Sequence, residues 1–313
     1  MIVLIATITL NPSIDRTLEL DRLVVGGLNR VKSKIDHPSG KGINVSRALK
    51  LWGQPTEALA LVGGSSGRWL TKALEEQSIS MDCVEVQDDT RTNVKLWASL
   101  EGCSTEINEP GPTVTAKELQ DLERKVAKKA VGWEWVVISG SVPPGTPPNF
   151  YATLVEIAKG QGAKVALDAS GVALREGLEA KPDLIKPNEV EAAELLGWEP
   201  QDEAEAIEAV EALTGRGIDY VLLTLGKAGA FIGHGGQIWQ GIPPKVAAKS
   251  AVGCGDSTVA GMVWALRERK DLAEAMRWAM AAGAAAATTW GTKPPEWQIV
   301  VELADQVRLY RHR

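Results

Sequence analysis

From residue 3 to residue 224 the chain alternates two patterns. Short β-rich runs bounded by Gly, Pro, Asn or Asp are followed by longer stretches in which apolar residues recur at helical spacing. Residues 3–10, 58–62, 135–139, 164–168, 184–186 and 220–224 read as strands, several of them apolar throughout. A strand that is apolar on every residue must be buried on both faces, and helices on both sides of a parallel sheet provide that cover. Residues 43–52, 68–77, 116–129, 149–159, 189–196 and 203–214 read as those helices.

Two segments break the rhythm. Residues 17–35 and 92–107 alternate apolar and polar positions with no helical stretch between their strands, the pattern of half-exposed antiparallel strands. They predict a small second sheet projecting from the first. A short hairpin is expected after Gly226, and from Gly255 the pattern turns helical almost to the end. The alanine-rich run 279–287, interrupted by Gly283, reads as a helix packed tightly inside the fold, since no stretch reaches the 18 or so apolar residues a membrane span requires. The fold class expected is α/β: a doubly wound, mostly parallel sheet with a small antiparallel β lid. One domain is expected over 1–313, with the lid strands within 13–37 and 91–108.

Charge and cysteine content narrow the functional classes. A net charge of −6 over 313 residues argues against a protein that coats nucleic acid, so an anionic ligand would be held by a few local cations. The apolar start, MIVLIATITL, lacks the basic region and small-residue cleavage site of a secretory signal. Cys83, Cys103 and Cys254 are odd in number, widely spaced and without a C-x-x-C pair, which favours reduced thiols and a cytoplasmic setting. The 11 tryptophans are scattered and read as packing and surface residues.

The most informative segment is KSAVGCGDSTVAG, residues 249–261, which runs from an extended stretch through two glycines into an apolar helix. Unpaired N–H groups at a helix N-terminus, with the positive end of the helix dipole, suit a phosphate. Gly253 and Gly255 let it approach the backbone, and Asp256 stands where a carboxylate either caps the helix or faces the ligand. The plain alternative is a turn with a capping acid. The sequence carries no G-x-x-x-x-G-K-[ST] segment, and no G-x-G-x-x-G follows a strand.

Read with SGKGINVSRAL at 39–49, this turn resembles the two signature regions of the PfkB/ribokinase family of carbohydrate kinases. TLNPSID (9–15) before them, and DTRTNVK (89–95), ISGSVPP (138–144), DASG (168–171) and KPNEVE (186–191) between them, follow in the family's order. The resemblance spans essentially the whole chain. It implies a Rossmann-like sheet with a small lid over a sugar and magnesium-bound ATP as phosphoryl donor. It also implies Asp256 as catalytic base, with the N–H groups of Gly253, Cys254, Gly255 and Asp256 around the transferring phosphoryl group. Lys186, Asn188, Thr224, Gly226 and Gly229 would lie against the nucleotide, and Glu191 would orient Mg2+ largely through water. Glu191 also reads as a plain solvated helix residue and Lys186 as a strand-end lysine. A monovalent cation such as K+ near Ser250 and Val252 is common in the family, and the residues leave it open.

On the sugar side the resemblance points to Asp15, Gly40, Asn44 and Ser139. Lys41 and Arg91 are cations suited to a phosphate already on the substrate. The implied reaction is ATP-dependent phosphorylation of a ketohexose phosphate. The Gly-Lys-Gly and Asn-Val-Lys segments look most like the 1-phosphofructokinase branch, whereas the stretch from Cys254 to Gly261 is like the tagatose 6-phosphate branch. Fructose 1-phosphate is the expected substrate, with fructose 6-phosphate and tagatose 6-phosphate as alternatives and a non-catalytic sugar-phosphate sensor as the reading from another class. The lid is often an interface in this family, so the resemblance admits a homodimer through it, and neither nucleic acid nor membrane is expected as a partner. Cys254, at a helix N-terminus, is expected to have a lowered pKa and to react with thiol reagents.

Overall fold

The strand expected over 3–10 begins at a residue outside those described, which are 4–313 in this computed structural model; its described part is β1 (Leu4–Thr9). There follow β2 (Ser13–Leu20), β3 (Ser33–Ser39), α1 (Lys41–Leu51), β4 (Thr56–Gly63), α2 (Gly64–Glu76), β5 (Ser80–Val86), β6 (Arg91–Ala98) and β7 (Cys103–Ile107). The middle of the chain forms α3 (Ala116–Lys129), β8 (Trp133–Ser139), α4 (Phe150–Gly160), β9 (Lys164–Asp168), α5 (Gly171–Leu178), β10 (Leu184–Ile185), α6 (Glu189–Leu196) and α7 (Glu203–Thr214). The last third holds β11 (Tyr220–Thr224), β12 (Ala230–His234), β13 (Gln237–Ile242), α8 (Cys254–Arg267), α9 (Leu272–Ala287), α10 (Trp297–Ala304) and β14 (Arg308–Arg311).

Among the described residues ten strands form one sheet, in the order β5-β4-β1-β8-β9-β10-β11-β12-β13-β14. The pairs from β5 to β11 are parallel and the last three are antiparallel. The strands serve two cores at once. In β8, Val136 and Ile138 enter one cluster, whereas Trp135 and Val137 enter the other, beside apolar residues of α1, α8 and α9. Each side chain alternates across the pleat, so both faces need apolar residues. The alanine-rich α9 lies close against α8: a Cβ on Gly283 would sit 2.4 Å from Thr258 Oγ1.

The chain leaves β1 towards β4 and β5 and later returns to β8 on the other side. Such a reversal opens a crevice at the carboxyl ends of the strands, where ligands bind in sheets of this kind.

The second sheet has the order β3-β2-β6-β7. Its hairpins β2/β3 and β6/β7 are antiparallel, as the alternating pattern predicts, and β2 and β6 join them in parallel register from Ser13 beside Arg91 to Leu20 beside Ala98. The parallel joint follows from connectivity, because the chain passes through α1, β4, α2 and β5 between the two hairpins. The end of the chain differs from the helical expectation: β14 pairs antiparallel with β13. Its four residues, Arg-Leu-Tyr-Arg, acquire strand conformation from the edge they cover.

Candidate active site

Gly253 takes φ +80°, a left-handed conformation that suits glycine, and turns the chain into α8. Asp256, in the first turn of α8, is 7% exposed, and its Oδ2 accepts a hydrogen bond from Asn44 Nδ2 at 2.8 Å. Burial first, then the charge of Asp168, pushes the Asp256 carboxyl up to about 6, against the opposing effects of Asn44, Lys41 and Lys186.

Asp168 ends β9 beside Ser139 of β8 and is the hub of the charged cluster. Lys41 Nζ, from the first residue of α1, and Lys186 Nζ, just beyond β10, each lie 3.2 Å from its Oδ1. Burial alone would raise the Asp168 pKa, but the two ammonium groups outweigh it and hold the carboxyl below the usual range. Lys41 is raised in turn, chiefly by Asp168 and further by Asp256 and Glu191. Lys186 also faces the turn: a Cβ on Gly255 would lie 3.7 Å from its Nζ.

Lys41, expected from the sequence to meet a phosphate carried by the substrate, has the Asp168 carboxylate as its partner here. Its ammonium stands with Asp168, at the end of the crevice that holds Asp256. The glycines around it have a structural reason as well. Gly40 has φ +128°, and a Cβ there would lie 2.7 Å from Thr9 Cγ2, so α1 can begin against the end of β1.

Asn188 and Glu191 form a capping box on α6: Glu191 N donates to Asn188 Oδ1 at 2.8 Å, and Asn188 N donates to Glu191 Oε2 at 2.9 Å. Glu191 is buried, and burial raises its pKa against the opposing Asn188 hydrogen bond and the charge of Lys186. Thr224 is next to this box, its N–H and hydroxyl both donating to Pro187 O. Gly226 and Gly229 follow in the turn to β12, where a Cβ on Gly229 would meet Gly241 O at 2.2 Å. Among the described residues no three of His, Cys, Asp and Glu gather as a metal cage. One buried carboxylate near the anion turn fits an ion such as Mg2+, which keeps most of its waters and binds through one or two carboxylates and substrate phosphates.

Under the lid is a cavity of about 170 Å³, lined by Asp15, His37, Asn93, Lys95, Glu106 and Thr292 among others. Asp15 Oδ1 accepts from Ser13 Oγ at 2.8 Å and from Asn93 Nδ2 at 3.2 Å. Arg91 stands at the start of β6, where it donates to Glu109 O, Asn11 O and Ser141 Oγ, and its buried Nε has no protein partner. Ser139 Oγ is likewise buried without a partner at the end of β8. Polar atoms left in this condition beside a crevice mark places where a ligand completes the hydrogen bonding.

The Cys254 thiol does not have the lowered pKa expected of it. Burial, reinforced by the charge of Asp256, pushes it up to about 11.

Sequence reasoning missed Asp168, Asn93 and Asn11. An available signal for Asp168 was its position, an acid that closes a strand straight after the apolar run 165–167, within the DASG segment. Asn93 and Asn11 lie in quoted motifs too, but what singles them out is unpartnered carbonyl oxygens, visible only in three dimensions.

The model of the pfkB family carbohydrate kinases matches residues 8–299. The 1-phosphofructokinase of Bacillus subtilis (strain 168) is 35% identical over 308 residues, 98% of this chain and 100% of that protein. Phosphofructokinase-2 from Escherichia coli in complex with potassium superposes with a TM-score of 0.93 at 31% identity, over 97% of this chain and 99% of that one. Arabidopsis thaliana ribokinase complexed with ribose and ATP shares the fold, with a TM-score of 0.77 at 22% identity over 96% of this chain and 99% of that one.

Proposed function

The chain belongs to the pfkB family of carbohydrate kinases, and from that premise we propose that it transfers the γ-phosphoryl group of ATP to a ketohexose phosphate, with fructose 1-phosphate converted to fructose 1,6-bisphosphate. The observation that carries the reading is Asp256: a buried carboxylate at the mouth of a helix N-terminus, oriented by Asn44 and poised at about 6. A base at that pKa is ionised at neutral pH, yet basic enough to accept a proton from an alcohol in flight.

In this mechanism Asp256 takes the proton from the attacking hydroxyl of the sugar. The N–H groups of Gly253, Cys254, Gly255 and Asp256 receive the charge that gathers on the transferring phosphoryl oxygens. Phosphoryl transfer has a loose transition state, so such positioning and charge stabilisation are the main task of the protein. Lys186 and Lys41 add two positive charges at the same end, and Asp168 fixes both ammonium groups. The nucleotide lies along Lys186, Asn188, Thr224, Gly226 and Gly229. Bound Mg2+ neutralises charge on the ATP phosphates, and Glu191 with Asn188 would hold it through water. The loop bearing Ser250 and Val252 is tied to the end of α9 by Ser250 N donating to Ala287 O. A monovalent cation would be held at this loop; the Escherichia coli neighbour was solved in complex with potassium.

The sugar lies under the lid against Asp15, Asn44, Gly40 and Ser139, with Arg91 as a cation for its phosphate. Exposed apolar residues of the lid include Val25, Leu28, Ile35 and Ile107. Burying such an apolar surface against a second copy makes a homodimer through the lid the favoured assembly. Among the described residues no helix is long and apolar enough to cross a membrane. The free cysteines fit the reducing cytoplasm.

The test is kcat/KM with magnesium-ATP in a coupled ADP-release assay on fructose 1-phosphate, fructose 6-phosphate, tagatose 6-phosphate and free fructose. A large preference for fructose 1-phosphate is expected. Preference for a 6-phosphate overturns the substrate while leaving the chemistry, and turnover of none of the four rejects the reading.

A further inference from the structure

A kinase that acts on a ketohexose phosphate must distinguish it from the free sugar. Resting on that reading, we propose that Lys95 is a specificity-determining residue that binds the phosphate already on the substrate, and that Glu106 is its resting counter-ion, displaced when the phosphate arrives.

The lid geometry leads there. Side chains alternate along β6, so Asn93 and Lys95 share a face, and both line the cavity under the lid. In the parallel register Asp15 stands beside Asn93 and Thr17 beside Lys95, while Glu106 of β7 stands opposite Lys95. One cavity is lined both by Val252, next to the anion turn, and by Asp15, Asn93, Lys95, Glu106 and Asn108 of the lid and its continuation. Two of its buried polar atoms, Asn93 Oδ1 and Thr292 Oγ1, have no protein partner, which marks it as a place built to receive a polar ligand. The hydroxyl that attacks and the phosphate already present are at opposite ends of a ketohexose phosphate. With the attacked end at Asp256 and the middle on Asp15 and Asn93, the far end comes to Lys95.

Among the described residues the other Lys and Arg side chains nearby are held by protein partners or lie outside the cavity's lining. Lys41 and Lys186 share Asp168. Arg47, buried behind the cavity, donates to Pro38 O at 3.1 Å and Thr292 O at 2.9 Å, and its charge with burial keeps His37 towards the neutral form. Arg91, the cation proposed above for the same phosphate, faces Asn11, Ser141 and Glu109 and is not among the residues lining the cavity, so Lys95 would be a second cation on that phosphate, reaching it from the lid. Lys95 is the cation in that lining, and its ammonium is 3.5 Å from Glu106, longer than a direct charge-assisted hydrogen bond. The Glu106 side chain is 48% exposed. It can turn to water at little cost and leave the ammonium to the phosphate.

The experiment is steady-state kinetics on full-length Lys95→Met, Lys95→Arg and Glu106→Gln enzymes, with fructose 1-phosphate and with free fructose at high concentration, alongside melting temperatures. Lys95→Met is expected to raise KM for fructose 1-phosphate by about 30-fold, the scale of a lost charge-assisted contact. The KM for ATP and kcat/KM for free fructose should stay within about twofold of wild type, since neither involves that contact. Lys95→Arg should retain most of the affinity, and Glu106→Gln should lower KM, because it frees the cation and removes a repelling charge. An ion pair with only a structural role would instead make both Lys95→Met and Glu106→Gln weaken binding. An unchanged KM in Lys95→Met, an equal loss on free fructose, or a raised KM in Glu106→Gln overturns the proposal. Failure of the wild-type enzyme to use any ketohexose phosphate overturns the functional reading instead.

Discussion

Asn44 Nδ2 donates to Asp256 Oδ2 at 2.8 Å, joining the first turn of α1 to the first turn of α8 across 212 positions of sequence. The bond stabilises the ionised carboxylate, and with Lys41 and Lys186 it opposes the burial and the Asp168 charge that raise the pKa to about 6. If Asp256 is the base, activity falls as pH drops through that value, because protonation disables it. In Asn44→Ala the stabilising bond is lost, the carboxyl titrates higher, and the acid limb of the pH–rate profile moves upward. The profile of kcat against pH for both enzymes checks this.

Asp168 stands between two ammonium groups, and removing its charge leaves the buried Lys186 and the half-exposed Lys41 without their counter-ion. Asp168→Asn is therefore expected to destabilise the fold by about 3–5 kcal/mol, the usual cost of breaking a buried pair on one side. It should also weaken ATP binding as Lys186 and Lys41 lose their fixed geometry. Denaturant melts and the KM for ATP report the two effects separately. The Asp168 pKa is depressed in the folded state, so its contribution is present above the unfolded value and lost as pH falls through the folded one.

Cys254 is expected to resist alkylation at neutral pH, because a thiol pushed up to about 11 carries almost no thiolate there. Exposed Cys103 should label before it. Mass-resolved labelling with iodoacetamide checks the order, and activity should persist while Cys254 remains unmodified.

The strands, most of the helices and both lid hairpins were legible because each announces itself locally, by a continuous apolar run, by helical spacing or by alternation. The missing elements take their form from neighbours. β5 is a sheet edge whose Asp82 is matched by Lys129 of α3 at 3.0 Å, and β14 is a strand through its pairing with β13. The anion turn was legible as glycines before an apolar helix. The hub role of Asp168 and the position of Lys41 were not, because both depend on strand ends brought together by the sheet order.

The tryptophans make the same point. Scattered in sequence, Trp52, Trp264, Trp278 and Trp297 converge, with Trp278 and Trp297 stacked at 5.2 Å and Trp264 edge-on to both. This cluster fastens α10 to α8 and α9. Trp297→Ala should cost about 3–5 kcal/mol by loss of large aromatic contact. Because the cluster touches no proposed site residue, kcat at a permissive temperature should be unchanged, which thermal melts and a turnover assay together check.

Whether Asp256 is the base of a sugar-phosphate kinase is decided by kcat and both KM values for Asp256→Asn with fructose 1-phosphate and magnesium-ATP. The substitution removes the base while nearly preserving shape. The expected result is a kcat lower by about 10²–10⁴-fold, the usual contribution of a general base, with both KM values close to wild type. A kcat near that of the wild-type enzyme would contradict it.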